Sequence, residues 1–349
     1  MRRRLLFALT SAVSAFLVCG LAQTSTLGQT VDLIFLTKGA APNRGTIVEM
    51  GQNQVTLEVN GVNKPFAVNE IVRITFANEP AELTNARTAA LQRNFALAAQ
   101  ELRKLTGPPP ERDLIKHDIE FFKALSQAHM ALREGGDRAA AIAAMRNFGR
   151  IAPQSFHFYE AADVLGDLAM SMGNYADAAR YYSLVSKALW PDYQMRSNNA
   201  VARALSADKQ FEQALAKFEA VLAVNLSTPE AARQKNMAIA GKAVCLAETG
   251  KAEEGIASLQ EVINKADAQD AALLSRTYNA LGRCNLKANK PKEAILAFLH
   301  TDLLYSAESE AHAEALYFLS KHWTDTNKSA IARTTLRERY AGSAWATQQ

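Results

Sequence analysis

The sequence predicts a mainly α protein, a solenoid of about six to seven helical hairpins over residues 80–345, preceded by a small all-β module at 31–79. Three observations carry this. A small residue, Ala98, Ala141, Ala178, Ala214, Gly255, Ala294 and Ala332, recurs at intervals of 43, 37, 36, 41, 39 and 38 residues, each time followed by apolar residues at helical spacing. Residues 31–79 instead alternate apolar and polar side chains with the period of strands. The first 22 residues follow neither pattern.

That first stretch opens on Arg2, Arg3 and Arg4, continues with an apolar run from Leu5 to Val18, and ends on Gly20-Leu21-Ala22. Small residues there suit cleavage before Gln23, so the expectation is a signal peptide at 1–22 and an exported protein, periplasmic or envelope-associated. The alternatives are secretion, or an inner-membrane anchor formed by residues 5–22, although Thr10, Ser11 and Ser14 interrupt that run. The signal and the composition suit a Gram-negative-type bacterium. The chain carries 39 basic and 35 acidic residues; without the three leader arginines the balance is 36 to 35. A near-neutral mature chain lacks the basic footprint that nucleic acid requires, and a membrane is reached only through an uncleaved leader. Beyond the leader the cysteines are Cys245 and Cys284, at equivalent positions of successive repeats. Stacked helices lie roughly 8–10 Å apart, beyond the ~7 Å a disulfide spans; two small buried thiols are expected.

After a polar linker at 23–30 come five short runs rich in Val, Ile, Thr and Phe: Asp32 to Leu36, Thr46 to Glu49, Val55 to Val59, Pro65 to Val68 and Ile71 to Phe76. Val55, Leu57 and Val59 alternate with polar residues, as do Val72, Ile74 and Phe76, and Asn60-Gly61 supplies a tight hairpin turn. The pattern resembles a small barrel of the SH3 or Sm type. Barrels of the Sm kind often bind RNA, but residues 31–79 hold four basic and five acidic side chains, which gives phosphate little attraction. The expected role is a module that docks on the array and covers its first helix, since so small a barrel has little core of its own.

From Pro80 onward the pattern is helical. In Ser275 to Thr301, Tyr278, Leu281, Gly282, Ala294 and Phe298 stand at fixed offsets: an aromatic, Leu-Gly, then Ala followed four residues later by another aromatic. Leu165-Gly166 with Gly173 and Tyr175, Val201-Ala202 with Phe211, and Leu316, Leu319 and Ser320 with Trp323 repeat the first half of it. Tyr182 and Val185, Phe218 and Val221, and Leu259 and Val262 follow their small residues in the same way. These offsets resemble the tetratricopeptide (TPR) family, whose unit is a helical hairpin that cannot bury its apolar face alone and therefore stacks. The resemblance implies that Gly282 and Ala294 sit where two helices cross. Gly107-Pro108-Pro109-Pro110, Ala152-Pro153, Trp190-Pro191 and Thr228-Pro229 each follow an expected second helix, where proline ends helical continuation.

No HExxH, GxSxG, phosphate-cradling glycine loop or paired cysteine set is present. No catalytic residue, metal ligand or cofactor is assigned, and His117, His129, His157, His300, His312 and His322 are spread over different repeats as solvated or packed residues. The TPR resemblance implies a concave groove lined by first helices. In the repeat at 275 the implied groove residues are Arg276, Asn279 and Arg283, on one helical face; in the repeat at 195 they are Arg196, Asn199 and Arg203. The preceding repeat offers Glu160, Asp163 and Asp167, so Arg196 and Arg203 are expected to form structural ion pairs with Glu160 and Asp167. Arg276, Asn279 and Arg283 face Met237, Ala240 and Val244 on one side and Glu314 on the other. Helped by Lys287, they are the candidate peptide-binding patch, suited to an acidic segment or a C-terminal carboxylate.

Two function classes follow. The first is an exported, non-enzymatic scaffold or adaptor that binds proteins or peptides in the groove. The second is an envelope enzyme or enzyme subunit acting on glycan or peptide, which needs convergent acid and base groups; Asp163 and Asp167 are its nearest candidates.

Overall fold

The computed structural model describes residues 30–348 apart from 40 and 135. The expected signal peptide at 1–22 lies outside the described residues, as does the linker from 23 to 29. Five strands open the fold: β1 (Asp32–Leu36), β2 (Asn43–Met50), β3 (Gln54–Val59), β4 (Val62–Ala67) and β5 (Ile71–Thr75). They form one antiparallel sheet in the order β4-β3-β2-β1-β5. A single 3₁₀ turn, Val68–Glu70, separates β4 from β5 without pairing them, so the sheet curls but stays open between those two edges. Asn60 and Gly61 both take positive φ, 52° and 78°, the turn whose twist matches that of the flanking strands.

Alternation fails at two places: Ile47 pairs with Leu57 but Glu49 with Thr56, which leaves Val48 as an extra, exposed residue of β2. Arg73 pairs with Phe35 but Leu36 pairs with Ile71, which leaves Val72 as the extra residue of a bulge. Val72 consequently points outward and is exposed, while Ile74 and Phe76 are buried.

Among the described residues fifteen helices follow. They are α1 (Ala81–Leu91), α2 (Phe95–Arg103), α3 (Asp113–Glu134), α4 (Arg138–Ile151), α5 (Phe158–Ser171), α6 (Tyr175–Val185), α7 (Pro191–Ala207), α8 (Phe211–Leu222), α9 (Pro229–Glu248), α10 (Ala252–Lys265), α11 (Ala271–Lys287), α12 (Pro291–Leu304), α13 (Ser309–His322), α14 (Thr326–Arg339) and the short α15 (Ala344–Thr347). The first fourteen pair into seven hairpins. Among the described residues no helix is long and apolar enough to cross a membrane.

Five hairpins share one turn. Three residues link the helices, and the middle one, Arg93, Gly173, Lys209, Gly250 or Asn289, is left-handed. The next amide closes on a carbonyl five residues back, as from Asn94 to Ala89 (2.9 Å) and Lys290 to Asn285 (2.8 Å), a Schellman closure that satisfies carbonyls the helix end leaves open. The prolines at 191 and 229 follow the second helices α6 and α8 and also open the helices after them. Each is the first residue of the next helix, after Trp190 or the capping Thr228, where a missing N–H loses nothing. The small residues at 98, 141, 178, 214, 255, 294 and 332 are all buried.

The sheet has no separate core. Ile34, Leu57, Ile74 and Phe76 belong to one apolar cluster with Leu83, Ala86, Phe121, Phe148 and Leu168 of the first three hairpins. Buried Asp32 anchors the junction. Its carboxylate accepts from the Ile47 amide (2.8 Å), the Ala77 amide (2.7 Å) and both terminal nitrogens of Arg112 (2.6 and 3.0 Å). Burial opposes the ionised form, but Arg112 and the two amides outweigh it and hold the Asp32 pKa below its usual value. Tyr159 Oη donates to Asn53 Oδ1 (2.9 Å) and Gln52 donates to the Pro153 carbonyl (2.7 Å), completing the attachment.

The array then bends round on itself. Arg203 of α7 reaches Glu310 of α13 at 3.4 Å, 107 residues away. Near the C-terminus, Gln348 donates to Tyr175 Oη at 3.5 Å, and Gly342 lies against the buried Arg138 guanidinium. The segment after the last hairpin therefore meets the second and third hairpins, and α13 meets α7 of the fourth.

Candidate binding groove

Consecutive first helices touch each other, α3 with α5, α7 with α9, α9 with α11 and α11 with α13, while ion pairs join α5 to α7, so they form the inner layer of the bend. Each presents a polar stripe to the inside because its apolar residues are already committed to the second helices. On α5 the stripe holds Asp163 and Asp167; on α7, Arg196, Asn199 and Arg203; on α11, Arg276, Asn279 and Arg283; on α13, Glu310 and Glu314.

The two asparagines are corrections. Asn279, expected in the peptide-binding patch, is 1% exposed. Its amide nitrogen donates to the Ala311 carbonyl (2.7 Å) and to Glu314 (3.0 Å), which staples α11 to α13. Asn199 does the same one interface earlier, donating to the Gln234 carbonyl and to its side-chain oxygen, both at 2.8 Å. Periodicity put these asparagines on the right face, but packing between neighbouring first helices covers them before any ligand can.

The arginines are better neutralised than nearest-repeat reasoning implies. Arg283 lies 3.4 Å from both Glu248 and Glu314, and Lys287 is 2.6 Å from Glu248. Arg276 lies 3.8 Å from Glu310, which is also the partner of Arg203. Glu248 closes the preceding first helix, α9, and Glu310 lies in the first turn of the following one, α13, so neither falls at the repeat offsets compared in the sequence. In the other set Arg196 meets Asp163 at 2.9 Å instead of Glu160, and its guanidinium sits 4.3 Å above the Tyr193 ring. Glu160 turns away to His157 (3.4 Å). Asp167 accepts from Tyr182 Oη at 2.6 Å and has Arg203 at 3.7 Å. Asp163 and Asp167 are thus both engaged by partners.

Crowding on the inner face is visible in the ionisation of Asp163. Burial, assisted by Asp167 and Glu160, pushes its pKa up to about 7, while Arg196 and Arg203 oppose the rise. Because the folded value exceeds the ordinary aspartate value of 3.8, the folded chain holds an extra proton between those two pH values. Stability from this group is complete below about pH 4 and is lost as the pH rises to 7. We expect Asp163→Asn to remove that loss, narrowing the stability difference between pH 5 and pH 8 by about 1–2 kcal/mol after allowance for a side chain partly open to water. Urea unfolding at the two pH values reads this directly; an unchanged difference would show that Asp163 is ionised throughout.

One buried assembly has no counterpart in the sequence reading. Glu79, at the junction of sheet and array, pairs with Arg87 of α1 (2.7 Å); Arg87 pairs with Asp118 of α3 (2.7 Å); Asp118 accepts from His157 before α5 (2.9 Å). His157 stacks on Phe121 with ring centres 3.6 Å apart. Burial acts against its charge, but hydrogen bonds to Asp118 and Glu160 prevail and raise its pKa. The signal was present: Arg87 occupies an apolar-period position among Leu83, Ala86 and Ala90 of α1, and Asp118 lies between Ile115 and Phe122 of α3. The cysteines are simpler. Both are free and buried, and burial pushes the Cys284 thiol up to about 12.

Fold and inner face together define a helical-repeat solenoid with a small antiparallel sheet built into its first turns. No family model matches the chain, and no curated protein matches it. Among solved structures, the crystal structure of the apo form of RapI is similar over 74% of this chain and 74% of that chain, at 15% identity and a TM-score of 0.49. That likeness is too slight to say anything of function.

Proposed function

We propose that the chain is a tetratricopeptide-type scaffold or adaptor, exported and non-enzymatic, that binds a protein or peptide on its inner face through an acidic or C-terminal carboxylate segment. The observation that carries the reading is Glu310, a single carboxylate placed between Arg203 and Arg276 at 3.4 and 3.8 Å, with all three side chains in contact with water. Pairs this long and exposed contribute about 0–1 kcal/mol each, so a partner's carboxylate can exchange with Glu310 at little cost. Arg283 and Lys287 continue the same stripe toward Glu248. The engagement of Asp163 and Asp167 by arginines and Tyr182 favours this reading over hydrolysis of a glycan or peptide, which needs an acid and a base free to act.

The test is affinity capture on the mature protein from envelope extracts, with partners identified by mass spectrometry, beside an Arg276→Glu variant shown by circular dichroism to be folded. We expect the variant to lose the principal partner. Retention of every partner would overturn the assignment. The intact mass of the protein recovered from its own cells tests export, with a chain starting at Gln23 as the expected result.

A further inference from the structure

Where the bent array closes, a cavity of about 510 Å³ lies between its two ends. One wall is the α1–α2 turn and α3, with Arg93, Asn94, His129 and Arg133; the other is the start of α13 and the end of α14, with Ser309 and Arg339. None of the three arginines has a carboxylate within ion-pair distance among the described residues, and the one protein acceptor found is the Ser306 carbonyl, 3.4 Å from Arg339. The contrast with the inner face is direct. There Arg196, Arg203, Arg276 and Arg283 all meet acids; here three guanidinium groups line one hollow without any. The first turns of α2 and α13 also border the cavity, adding the positive ends of two helices. Acids do act on neighbouring groups: Asp167 and Glu160 on His129 of the cavity wall, and Glu308, beside Ser309, on Arg233.

We propose that this cavity binds a multiply charged tetrahedral oxyanion of the phosphate class. A flat carboxylate is satisfied by one guanidinium fork. Three forks arriving from walls on opposite sides suit an anion whose oxygens point in several directions, and the volume falls in the range of small-ligand sites. The site differs from the inner face used in the proposed function and does not depend on it. Its ligand would clamp the last hairpin to the first two.

The experiment titrates the full chain with inorganic phosphate and with pyrophosphate, by calorimetry and by thermal melting, against sodium chloride of equal ionic strength. We expect pyrophosphate to raise Tm by several degrees, and an Arg133→Gln/Arg339→Gln variant to bind at least tenfold more weakly. Ala307→Glu, which places a negative charge at the exposed rim, is expected to weaken binding likewise and serves if the double variant does not fold. No heat and no melting shift at millimolar pyrophosphate would overturn the proposal. So would equal responses in the wild type and the variants, or citrate binding as tightly as pyrophosphate. A phosphoserine peptide forms a further arm: tighter binding than inorganic phosphate assigns the group to a phosphorylated segment, and weaker binding assigns it to a free anion, both in support of the site.

Discussion

Replacing Arg87 by methionine is expected to destabilise the folded chain by about 3–5 kcal/mol, the loss typical when one partner of a buried ionic set is removed. Arg87 lies between Glu79 and Asp118, and all three side chains are at most 4% exposed. The Arg87 guanidinium binds both oxygens of Glu79, at 2.7 and 2.9 Å, and one oxygen of Asp118, at 2.7 Å. Without it two carboxylates face each other in an apolar surround, with the His157 ring as the remaining partner of Asp118. Urea unfolding monitored by circular dichroism measures the loss. The companion variant Arg87→Met/Asp118→Leu, which removes two charges instead of one, should recover part of it. A single variant as stable as the wild type would mean that water reaches the network.

Gly241→Val is expected to cost about 3 kcal/mol, at the upper end of overpacking in a close-packed core. A Cβ on Gly241 would stand 2.1 Å from Cζ of Phe218, and Phe218 is fully buried between α8 and α9. The ring cannot withdraw without displacing its own helix. Gly149→Ala provides the opposite sign. Gly149 lies inside α4, and a Cβ there meets nothing within 4 Å, so alanine should stabilise by about 0.5–1 kcal/mol through helix propensity. Melting temperatures of the two variants, shifted down and up respectively, check both.

Much of the architecture was legible because it is local. The strand runs, the Asn60-Gly61 turn and the crossing residues from Ala98 to Ala332 depend on period and on side-chain size, which adjacent residues record. Val72 escaped because a bulge shifts the register by one residue without leaving a mark in composition. The groove was legible only in outline. Arg276, Arg283 and Lys287 do lie on one face of α11, yet Asn279 on the same face is consumed as a staple to Ala311, a backbone contact that no side-chain pattern announces. Glu310 was invisible as a partner of Arg203 because 107 residues separate them, and only the curvature accumulated over successive hairpins brings them together. The buried set around Arg87 and Asp118 was legible in principle, as charges on apolar stripes.

The meeting of residues 342–348 with the second and third hairpins changes how the chain must fold. A straight repeat array is quasi-one-dimensional: any segment can nucleate, and each end can fray alone. Here contacts such as Gln348 with Tyr175 and Gly342 with Arg138 close loops of more than a hundred residues, and loops of that length delay the contacts they bring together. Residues 342–348 are synthesised after the hairpins they close on, so the early hairpins must wait with Arg138 uncovered until that turn has emerged. Closure of the array is then a late folding event that registers whether all seven hairpins are in place.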